Sequence, residues 1–595
     1  MLFKSVARGL FELIKKCPLY TLWLMVFELM AALALPLSLK YLSEMIDGLE
    51  KVRLATPAIL RYVTLGLLIV LIDYWSRKLR LCLSHRFGHK INLEWMIKCR
   101  WVPYRCYEDA ETLNLLNLAE KATSGKFTEV FEQSLVFMGS IIRLLGLIPV
   151  FRQASIYLPV FYVVIVLAIV FLDFKAISMM NEMFQGQSAS ERRFKYCEQE
   201  LSDRYTLAFL ATVRGLDVFR KKVDALAKDL ASERLDTTVK AQRYSVTSHL
   251  LILIWFIGSL VLLTRSVFLG VINIGLFVAS VSALSSALDI SEQLSVSWSA
   301  LGENAFYLEK YFSWLDIEND AFELANEAGE NGQTAVGEIA STAHDIRPNH
   351  RVETIEFRDV SFAYPGTTKE ILKKLNLFIQ GDERVALVGK NGCGKSTLIK
   401  LLLGLYQPTE GEIFINHRPL YEYTRRDLAG LFSAVFQDYA RFDLPLETNI
   451  HFDQQGASAK RVAEVLGQVG LEPLIPEMHR ELGKMENGAL DLSGGQWQKI
   501  AIARAIYDDE RFILFDEPLS AVDPIAEAAL YEELVRLMDQ RGCILISHRL
   551  GSAKLAERIL VMDRGKIIED GHHDELMAHE GLYAAMFYEQ SRWYV

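Results

Sequence analysis

The chain has 595 residues, of which 51% are hydrophobic, a formal net charge of −10 and a mean hydropathy of +0.16. This length exceeds what one hydrophobic core supports, so we expect two or more domains. The negative charge and the lack of a long basic run argue against a nucleic-acid-binding protein. The seven cysteines form no CxxC pair and no His/Cys cluster, which favours scattered thiols in a reducing compartment over a metal site.

The apolar residues concentrate before about residue 300, in blocks long enough to cross a membrane. A spanning helix needs roughly 20 mostly apolar residues. The N-terminal stretch MLFKSVARGLFELIKK is basic and amphipathic and has no signal-peptide cleavage pattern, so it predicts a cytoplasmic helix before the first span. Within a transmembrane domain of residues 1–314, we predict spans at 20–42, 59–81, 135–150, 156–174, 250–269 and 274–294.

The connections between the predicted spans alternate in length. Short loops join the members of each successive pair, whereas the charged segments 82–134 and 175–249 are long and rich in helix formers. These segments predict helices that continue the spans beyond the membrane. The lysines and arginines of the N-terminal tail place the N-terminus, and with it both long segments, in the cytoplasm.

Several ionisable residues fall inside the predicted spans, among them Glu28, Asp73 and Arg143. A charge in hydrocarbon is costly and usually faces a cavity or an opposite charge. For Glu28 and Arg143 a substrate path and a structural ion pair are both open, whereas Asp73 favours pairing or a position near the membrane surface. The serines of the sixth span suit close helix packing or a wet cavity equally well.

The segment 315–351 differs from both its neighbours. It is acidic, rich in Gly, Ala, Thr and Asn, and nearly free of basic residues until its end. This composition predicts a solvated linker and a domain boundary near residue 350. We therefore assign residues 352–595 to a separate soluble domain.

The stretch GKNGCGKST follows the apolar run RVALV and precedes the helix-like TLIKLLLGL. Strand, glycine-rich loop and helix in this order predict a loop whose backbone N–H groups bind phosphate. Lys395 would reach the terminal phosphates and the Ser396 hydroxyl would bind Mg²⁺. Cys393 either makes the loop sensitive to thiol reagents or has no chemical role and only fills space. The candidate nucleotide-binding residues here are Gly389, Lys390, Asn391, Gly392, Cys393, Gly394, Lys395, Ser396 and Thr397.

A second apolar run, in RFILFDEP, presents two carboxylates at its end. Asp516 would hold Mg²⁺ through water, and Glu517 would polarise an attacking water as general base. A helix cap would explain one acid at this place but explains two acids after a buried strand poorly.

Between these two motifs lies LSGGQ, followed by the helix-like WQKIAIARAI. With this motif the soluble half resembles the nucleotide-binding domain of ATP-binding cassette (ABC) transporters, over about residues 352–590. Seven motifs agree in order with those of the family. Besides the phosphate loop and the acidic pair, the matching residues are the aromatic Tyr364, Gln437 of the Q-loop, Ser493, Gly494, Gly495 and Gln496 of the signature, Asp523 of the D-loop SAVD and the switch residue His548.

The resemblance implies that two cassettes face each other and hold two ATP molecules between them. Ser493 and Gly495 would contact the γ-phosphate bound to the partner's phosphate loop. The implied catalytic residues are Glu517, His548 and Gln437, and the implied Mg²⁺ ligands are Ser396, Gln437 and Asp516. Because these motifs are intact, a homodimer with two active sites is expected, although a heterodimer stays open. Trp497 and the sequence DEPLSAVD depart from the family pattern without touching a phosphate-contacting position.

Spans fused ahead of one cassette resemble an ABC exporter half-transporter. The implied fold is a six-helix, all-α transmembrane domain with long cytoplasmic helix extensions, joined to an α/β P-loop ATPase. Short helices at the tips of the two long loops, near 109–121 and 203–214, would dock on cassettes. The implied activity is ATP-driven export, with an importer of the same fold as the alternative. A cassette ATPase without transport would lack the spans.

The implied partners are a second transporter subunit, the lipid bilayer and a transported small molecule or peptide. ATP and Mg²⁺ are the implied cofactors. A peptide or natural product is the cargo we favour, with lipids and drugs open. We expect an integral protein of a bacterial inner membrane, with its N-terminus and cassette in the cytoplasm.

Overall fold

The computed structural model divides into two compact units. One unit contains Met1–Arg100 and Ala110–Ile317, and the other contains Trp101–Asp109 and Glu318–Val595. The residues that the structure describes are 2–50, 55–202, 204–213, 215–320, 351–452, 458–484, 488–508, 511–518, 541–548, 550–554 and 556–592. Most of the predicted acidic linker lies outside these residues, so its boundaries stay a prediction.

The first unit, here called the membrane unit, is built from long helices. Its helices are α1 (Leu2–Lys16), α2 (Pro18–Glu50), α3 (Ala55–Trp101), α5 (Ala110–Thr123), α6 (Lys126–Ala154), α7 (Tyr157–Ser202), α8 (Arg204–Thr212), α9 (Leu216–Phe268) and α10 (Ile274–Leu315), while the short α4 (Arg105–Glu108) belongs to the other unit. In the described part of the chain, six of these helices are long and apolar enough to cross a membrane. The predicted class of transmembrane fold is thereby confirmed. The longest helix, α9, has 53 residues, so it continues well past the roughly 20 residues that cross a bilayer.

The three ionisable residues singled out in the predicted spans, Glu28, Asp73 and Arg143, are paired. Glu28 Oε1 accepts a hydrogen bond from Arg143 Nη2, and Glu28 Oε2 lies 3.6 Å from Arg80 Nη2. The Glu28 side chain is only 11% exposed. Asp73 instead pairs with Arg77 one helical turn away, at 2.7 Å and with both side chains more than half exposed. These contacts favour structural pairing at both places.

The structure differs from our prediction about the first cytoplasmic loop. Most of the predicted docking segment 109–121 lies in α5, which packs against α10 within the membrane unit and buries Ala119, Ala122 and Thr123. The segment that groups with the soluble unit is Trp101–Asp109. The amphipathic pattern correctly predicts a helix, but its apolar face is used for packing within the membrane unit.

The second unit, here called the cassette unit, contains two sheets. An antiparallel sheet is formed by β1 (Thr354–Ala363), β2 (Glu370–Gln380), β4 (Glu410–Ile415) and β5 (Arg418–Pro419), in the order β2-β1-β4-β5. A mainly parallel sheet has the order β10-β9-β3-β8-β7-β6 and is formed by β3 (Arg384–Gly389), β6 (Phe432–Val435), β7 (Phe512–Asp516), β8 (Cys543–Ile546), β9 (Arg558–Asp563) and β10 (Lys566–Gly571).

Helices complete the cassette unit. They are α11 (Lys395–Leu402), α12 (Arg425–Leu431), α13 (Leu446–Ile450), α14 (Ala459–Gln468), α15 (Gly494–Ile506), α16 (Leu550–Ala553), α17 (His573–Ala578) and α18 (Leu582–Ser591). The central strands β3, β7 and β8 read as continuous apolar runs because both faces of a parallel sheet are covered. Their carboxyl ends meet at one edge of the sheet, where a ligand site is expected.

Candidate nucleotide site

The phosphate loop leaves strand β3 in a conformation that requires glycine. Gly389 has φ 155° and Gly394 has φ 116°, both in the region that L side chains rarely adopt. A Cβ on Gly389 would lie 2.2 Å from the carbonyl oxygen of Met562, and one on Gly394 would lie 2.8 Å from Leu372 Cδ2. The predicted loop is therefore fixed by backbone geometry as well as by its neighbours.

Lys395 and Ser396 begin helix α11 at the end of this loop. The Lys395 side chain is buried, and its Nζ donates hydrogen bonds to the carbonyl oxygens of Gly389 at 2.9 Å and Lys390 at 3.1 Å. The ammonium thus lies inside the loop, where its charge is available to phosphate oxygens. Ser396 Oγ donates to Asp516 Oδ1 at 3.0 Å, which joins the loop to the end of strand β7.

The two acids after strand β7 lie in different environments. Asp516 is 8% exposed, and burial is the main reason why its pKa is raised above the usual range of aspartate. Glu517 follows with φ 52°, an uncommon conformation for a residue with a long side chain. Its carboxylate contacts His548 Nε2, so the predicted general base and the predicted switch histidine are in direct contact. Strained backbone is typical of functional positions.

The aromatic residue predicted to stack on adenine lies next to the phosphate loop. The Tyr364 hydroxyl is 3.1 Å from Thr397 Oγ1, at the start of helix α11. The Tyr364 ring packs edge-on against Phe362 and Tyr406, with centroid distances of 5.1 and 5.3 Å. These contacts hold an aromatic ring beside the loop that would bind the triphosphate.

The signature motif forms the start of helix α15. Ser493 Oγ accepts a hydrogen bond from the Gln496 backbone N–H at 3.3 Å, and Gln496 Oε1 accepts from the Ser493 N–H at 2.9 Å. This capping box leaves Gly494 and Gly495 in the first turn, where a Cβ would meet no atom of the chain within 4 Å. Glycine costs helix stability, and packing within the described chain does not require it here.

The remaining predicted residues are distributed as follows. Gln437 is exposed in the loop after strand β6, and the exposed Lys390, Asn391 and Gly392 form the outer part of the phosphate loop. Cys393 is buried, and burial raises the pKa of its thiol. Asp523 and the D-loop lie outside the described residues.

The predicted site residues thus fall into two groups within one chain. The phosphate loop, the acidic pair, His548 and Tyr364 surround the ends of the central strands, whereas the signature begins a separate helix. Across the ranges given above, no hydrogen bond or ion pair connects residues 493–496 with residues 389–397. Within the described residues, the two parts of the predicted site are therefore not joined by direct polar contacts.

Sequence reasoning missed several contacts at this site. Tyr439, two residues after Gln437, donates a hydrogen bond from its hydroxyl to the carbonyl oxygen of Gly494 at 2.9 Å. Trp497, which departs from the family pattern, is 4% exposed and packs in the core below helix α15. The position of Trp497 on the apolar face of the helix signals this burial, but no local signal pairs Tyr439 with Gly494.

Comparison with known proteins extends these observations. Residues 372–520 match the family model described as ABC transporter. The chain is 27% identical to the subtilin transport ATP-binding protein SpaT of Bacillus subtilis, over 93% of this chain and 89% of SpaT. It is 26% identical to the nisin transport ATP-binding protein NisT of Lactococcus lactis subsp. lactis, over 85% of this chain and 82% of NisT.

The fold is similar to a solved structure of a bacterial Atm1-family ABC exporter with ATP bound. The TM-score is 0.79 at 20% identity, over 97% of this chain and 99% of that chain. The likeness therefore includes the membrane helices as well as the cassette, and a cassette of this family hydrolyses ATP. The chain therefore contains an ABC transporter domain, and nearly its whole length is similar to transport ATP-binding proteins and has the fold of an ABC exporter.

Proposed function

We propose that two copies of this chain form an ATP-driven exporter of a peptide. SpaT and NisT are named for the transport of subtilin and nisin, and the similarity to them extends over both halves of this chain. The membrane half is the part of an exporter that meets its cargo. Similarity that includes this half supports a related cargo more strongly than similarity of the cassette would.

The dimer is supported by one observation, the open space beside the two glycines that begin helix α15. A Cβ on Gly494 or Gly495 would meet no atom of the chain within 4 Å, and the N-terminus of a helix favours an anion. Among the described residues, no hydrogen bond or ion pair joins them to the phosphate loop of the same chain. We infer that the γ-phosphate of an ATP bound to the partner's phosphate loop occupies this space, so that each site uses both copies.

The residues that would hold Mg²⁺ fit this ion. Ser396 Oγ and Asp516 Oδ1 are hard oxygen donors 3.0 Å apart, and Gln437 offers an amide oxygen. When bound with ATP, Mg²⁺ would neutralise charge on the phosphate oxygens. Because Asp516 is held by Ser396 and is nearly buried, its carboxylate is already oriented toward the end of the phosphate loop.

Hydrolysis would use the contact between Glu517 and His548. Glu517 would accept the proton of the attacking water as general base. His548, in contact with this carboxylate, would orient it and donate a hydrogen bond to the γ-phosphate. Lys395 would stabilise the negative charge on the terminal phosphates.

The site and the spans together suggest an orientation. The basic N-terminal helix α1 and the cassette would lie on the cytoplasmic side of a bacterial inner membrane. ATP binding would close two cassettes, and hydrolysis would separate them again, which would alternate the access to the cavity.

The experiment measures ATPase activity of the purified chain in lipid with nisin or subtilin added, and with an added lipid as the alternative cargo. Stimulation by a peptide is the expected result. ATP-dependent accumulation of the same peptide in inside-out vesicles would then show export. Stimulation by lipid alone would contradict the peptide assignment, and uptake into right-side-out vesicles would contradict the direction.

A further inference from the structure

The segment Trp101–Asp109 places one carboxylate against the helix of the phosphate loop. Glu108 Oε1 accepts a hydrogen bond from Lys400 Nζ at 2.9 Å, and Glu108 Oε2 accepts one from the Tyr406 hydroxyl. Lys400 lies in helix α11, which begins at Lys395. Both carboxylate oxygens of Glu108 are thus used within the cassette unit, by residues 292 and 298 positions away.

Lys400 is also surrounded by tyrosine rings. Its Nζ lies 5.7 Å from the ring centroid of Tyr104, 5.6 Å from that of Tyr364 and 5.8 Å from that of Tyr406. These distances are within the range of a cation–π interaction. The rings support one another, since Tyr406 packs edge-on against Tyr104 at 5.8 Å and against Tyr364 at 5.3 Å. We call these four residues, together with Glu108, the tyrosine–lysine cluster.

The charges within this cluster balance each other. Burial raises the pKa of Glu108, but the hydrogen bonds from Tyr406 and Lys400 lower it by a larger amount. The net shift of this pKa is therefore downward. Burial lowers the pKa of Lys400, and the contact with Glu108 more than restores it. The ion pair is therefore held in a partly buried place, with side-chain exposures of 39% for Glu108 and 24% for Lys400.

We propose that Glu108 and Lys400 are positioning residues for adenine, because together they hold the Tyr364 ring in place for stacking. This inference rests on the assignment of Tyr364 to adenine in the proposed function. Without Glu108, the ammonium of Lys400 would lose its ion-pair partner and turn toward water, which removes its contact with the Tyr364 ring. Tyr364 would then keep its hydroxyl contact with Thr397 but lose a fixed ring orientation.

The arrangement links adenine binding to the loop that follows helix α3. Trp101–Asp109 continues directly from this helix in the chain, so a displacement of the segment would pull Glu108 away from Lys400. The affinity for ATP would then depend on the position of this segment relative to Lys400. A binding site ordered in advance loses less entropy when its ligand binds.

The test measures KM and kcat for ATP with the full-length protein in lipid. Glu108→Gln and Lys400→Met are expected to raise KM roughly three- to tenfold, while kcat at saturating ATP is retained. Lys400→Arg should restore most of the affinity because it keeps the charge. The matched control is Glu422→Gln. Glu422 is the exposed ion-pair partner of Arg418, whose guanidinium also lies over a tyrosine ring, that of Tyr423. This variant should leave KM unchanged.

A second measurement separates positioning from general damage to the site. Inorganic tripolyphosphate, which has no adenine, should inhibit the Glu108→Gln protein as well as the parent protein. If Lys400→Met does not fold, Tyr406→Phe removes only the hydroxyl that donates to Glu108 and should raise KM about twofold.

Three results would overturn the inference. The first is a KM in the Glu108 and Lys400 variants no higher than in Glu422→Gln. The second is an equal loss of ATP and tripolyphosphate affinity, which would indicate a disturbed phosphate loop. The third is an unchanged KM in Tyr364→Ala, which would remove the adenine assignment itself. A raised KM in Tyr364→Ala with a normal KM in Glu108→Gln would reject only the positioning role.

Discussion

Ser396 Oγ donates a hydrogen bond of 3.0 Å to Asp516 Oδ1, and this bond joins residues that are 120 positions apart in the chain. It connects the end of the phosphate loop with the end of strand β7. Parallel strands β3 and β7 flank β8 in the same sheet, so their carboxyl ends open at the same edge. The sheet topology thus assembles one half of the proposed nucleotide site from two distant motifs.

Replacing Glu517 with glutamine should separate ATP binding from hydrolysis. Glu517→Gln keeps the size of the side chain but cannot accept a proton, so ATPase activity should fall by about 100-fold or more while ATP still binds. Steady-state ATPase and equilibrium nucleotide binding measure the two effects. Glu557→Gln, which changes an exposed carboxylate paired with Arg384, is the control and should retain activity. Near-normal turnover in Glu517→Gln would remove Glu517 from the role of base.

Adding a methyl group to the signature should stabilise the chain and yet reduce its activity. A Cβ on Gly495 meets no atom of this chain within 4 Å, so Gly495→Ala should raise the free energy of unfolding by about 0.5–1 kcal/mol. The same methyl group would occupy space needed by the partner's nucleotide, so ATPase activity should drop roughly tenfold or more.

The matched control for this variant is Gly430→Ala. Gly430 is also in a helix, and an added Cβ there also meets nothing within 4 Å. It should give a similar gain in thermal stability with unchanged ATPase activity. Full activity in Gly495→Ala would contradict the assignment of a partner's nucleotide to this surface.

The intramembrane pair makes a prediction about stability. Glu28→Gln removes the charge that faces both Arg143 and Arg80, which leaves two guanidinium groups in a low-dielectric place. The free energy of unfolding should fall by about 3 kcal/mol, measured by thermal unfolding in lipid. The double variant Glu28→Gln/Arg143→Gln should recover part of this loss. Asp224→Asn, which breaks an exposed pair with Lys228 in the segment predicted to lie in the cytoplasm, serves as the control and should change stability little. Equal effects of Glu28→Gln and Asp224→Asn would contradict the structural role of the Glu28 pair.

Cys393 should react slowly with thiol reagents although it lies in the phosphate loop. The thiolate is the reactive form, and burial raises the pKa of Cys393, so less thiolate is present at neutral pH than for a free thiol. In a variant with Cys393 as its one cysteine, alkylation should be slow at pH 7. The alkylation rate should rise only when the pH exceeds the pKa of a free thiol. The same protein in denaturant provides the control, with fast labelling. Rapid labelling of the folded protein at neutral pH would show that the thiol is accessible.

The sequence predicts the features whose signal is local. The phosphate loop, the acidic pair and the capping box of Ser493 and Gln496 each lie within a few residues, and spans are visible as apolar blocks. Contacts between distant residues have no such signal. Nothing in the sequence pairs Glu108 with Lys400 or Glu28 with Arg143, since tertiary packing alone brings them together. The docking segment at 109–121 was misplaced for the same reason, because an amphipathic helix does not specify which surface its apolar face meets.

The central claim is that each nucleotide site contains the phosphate loop of one copy and the signature of the other. Lys395→Ala, which removes the charge for the terminal phosphates, and Gly495→Asp, which places a negative charge at the start of helix α15, should each abolish most ATPase activity alone. When the two variants are assembled into one dimer, one of its sites has both an intact phosphate loop and an intact signature. Purified mixed dimers, selected by a different affinity tag on each copy, should therefore recover a substantial part of the ATPase activity. Mixed dimers that remain as inactive as either variant alone would contradict the account, because a site completed within one chain could not be rescued in this way.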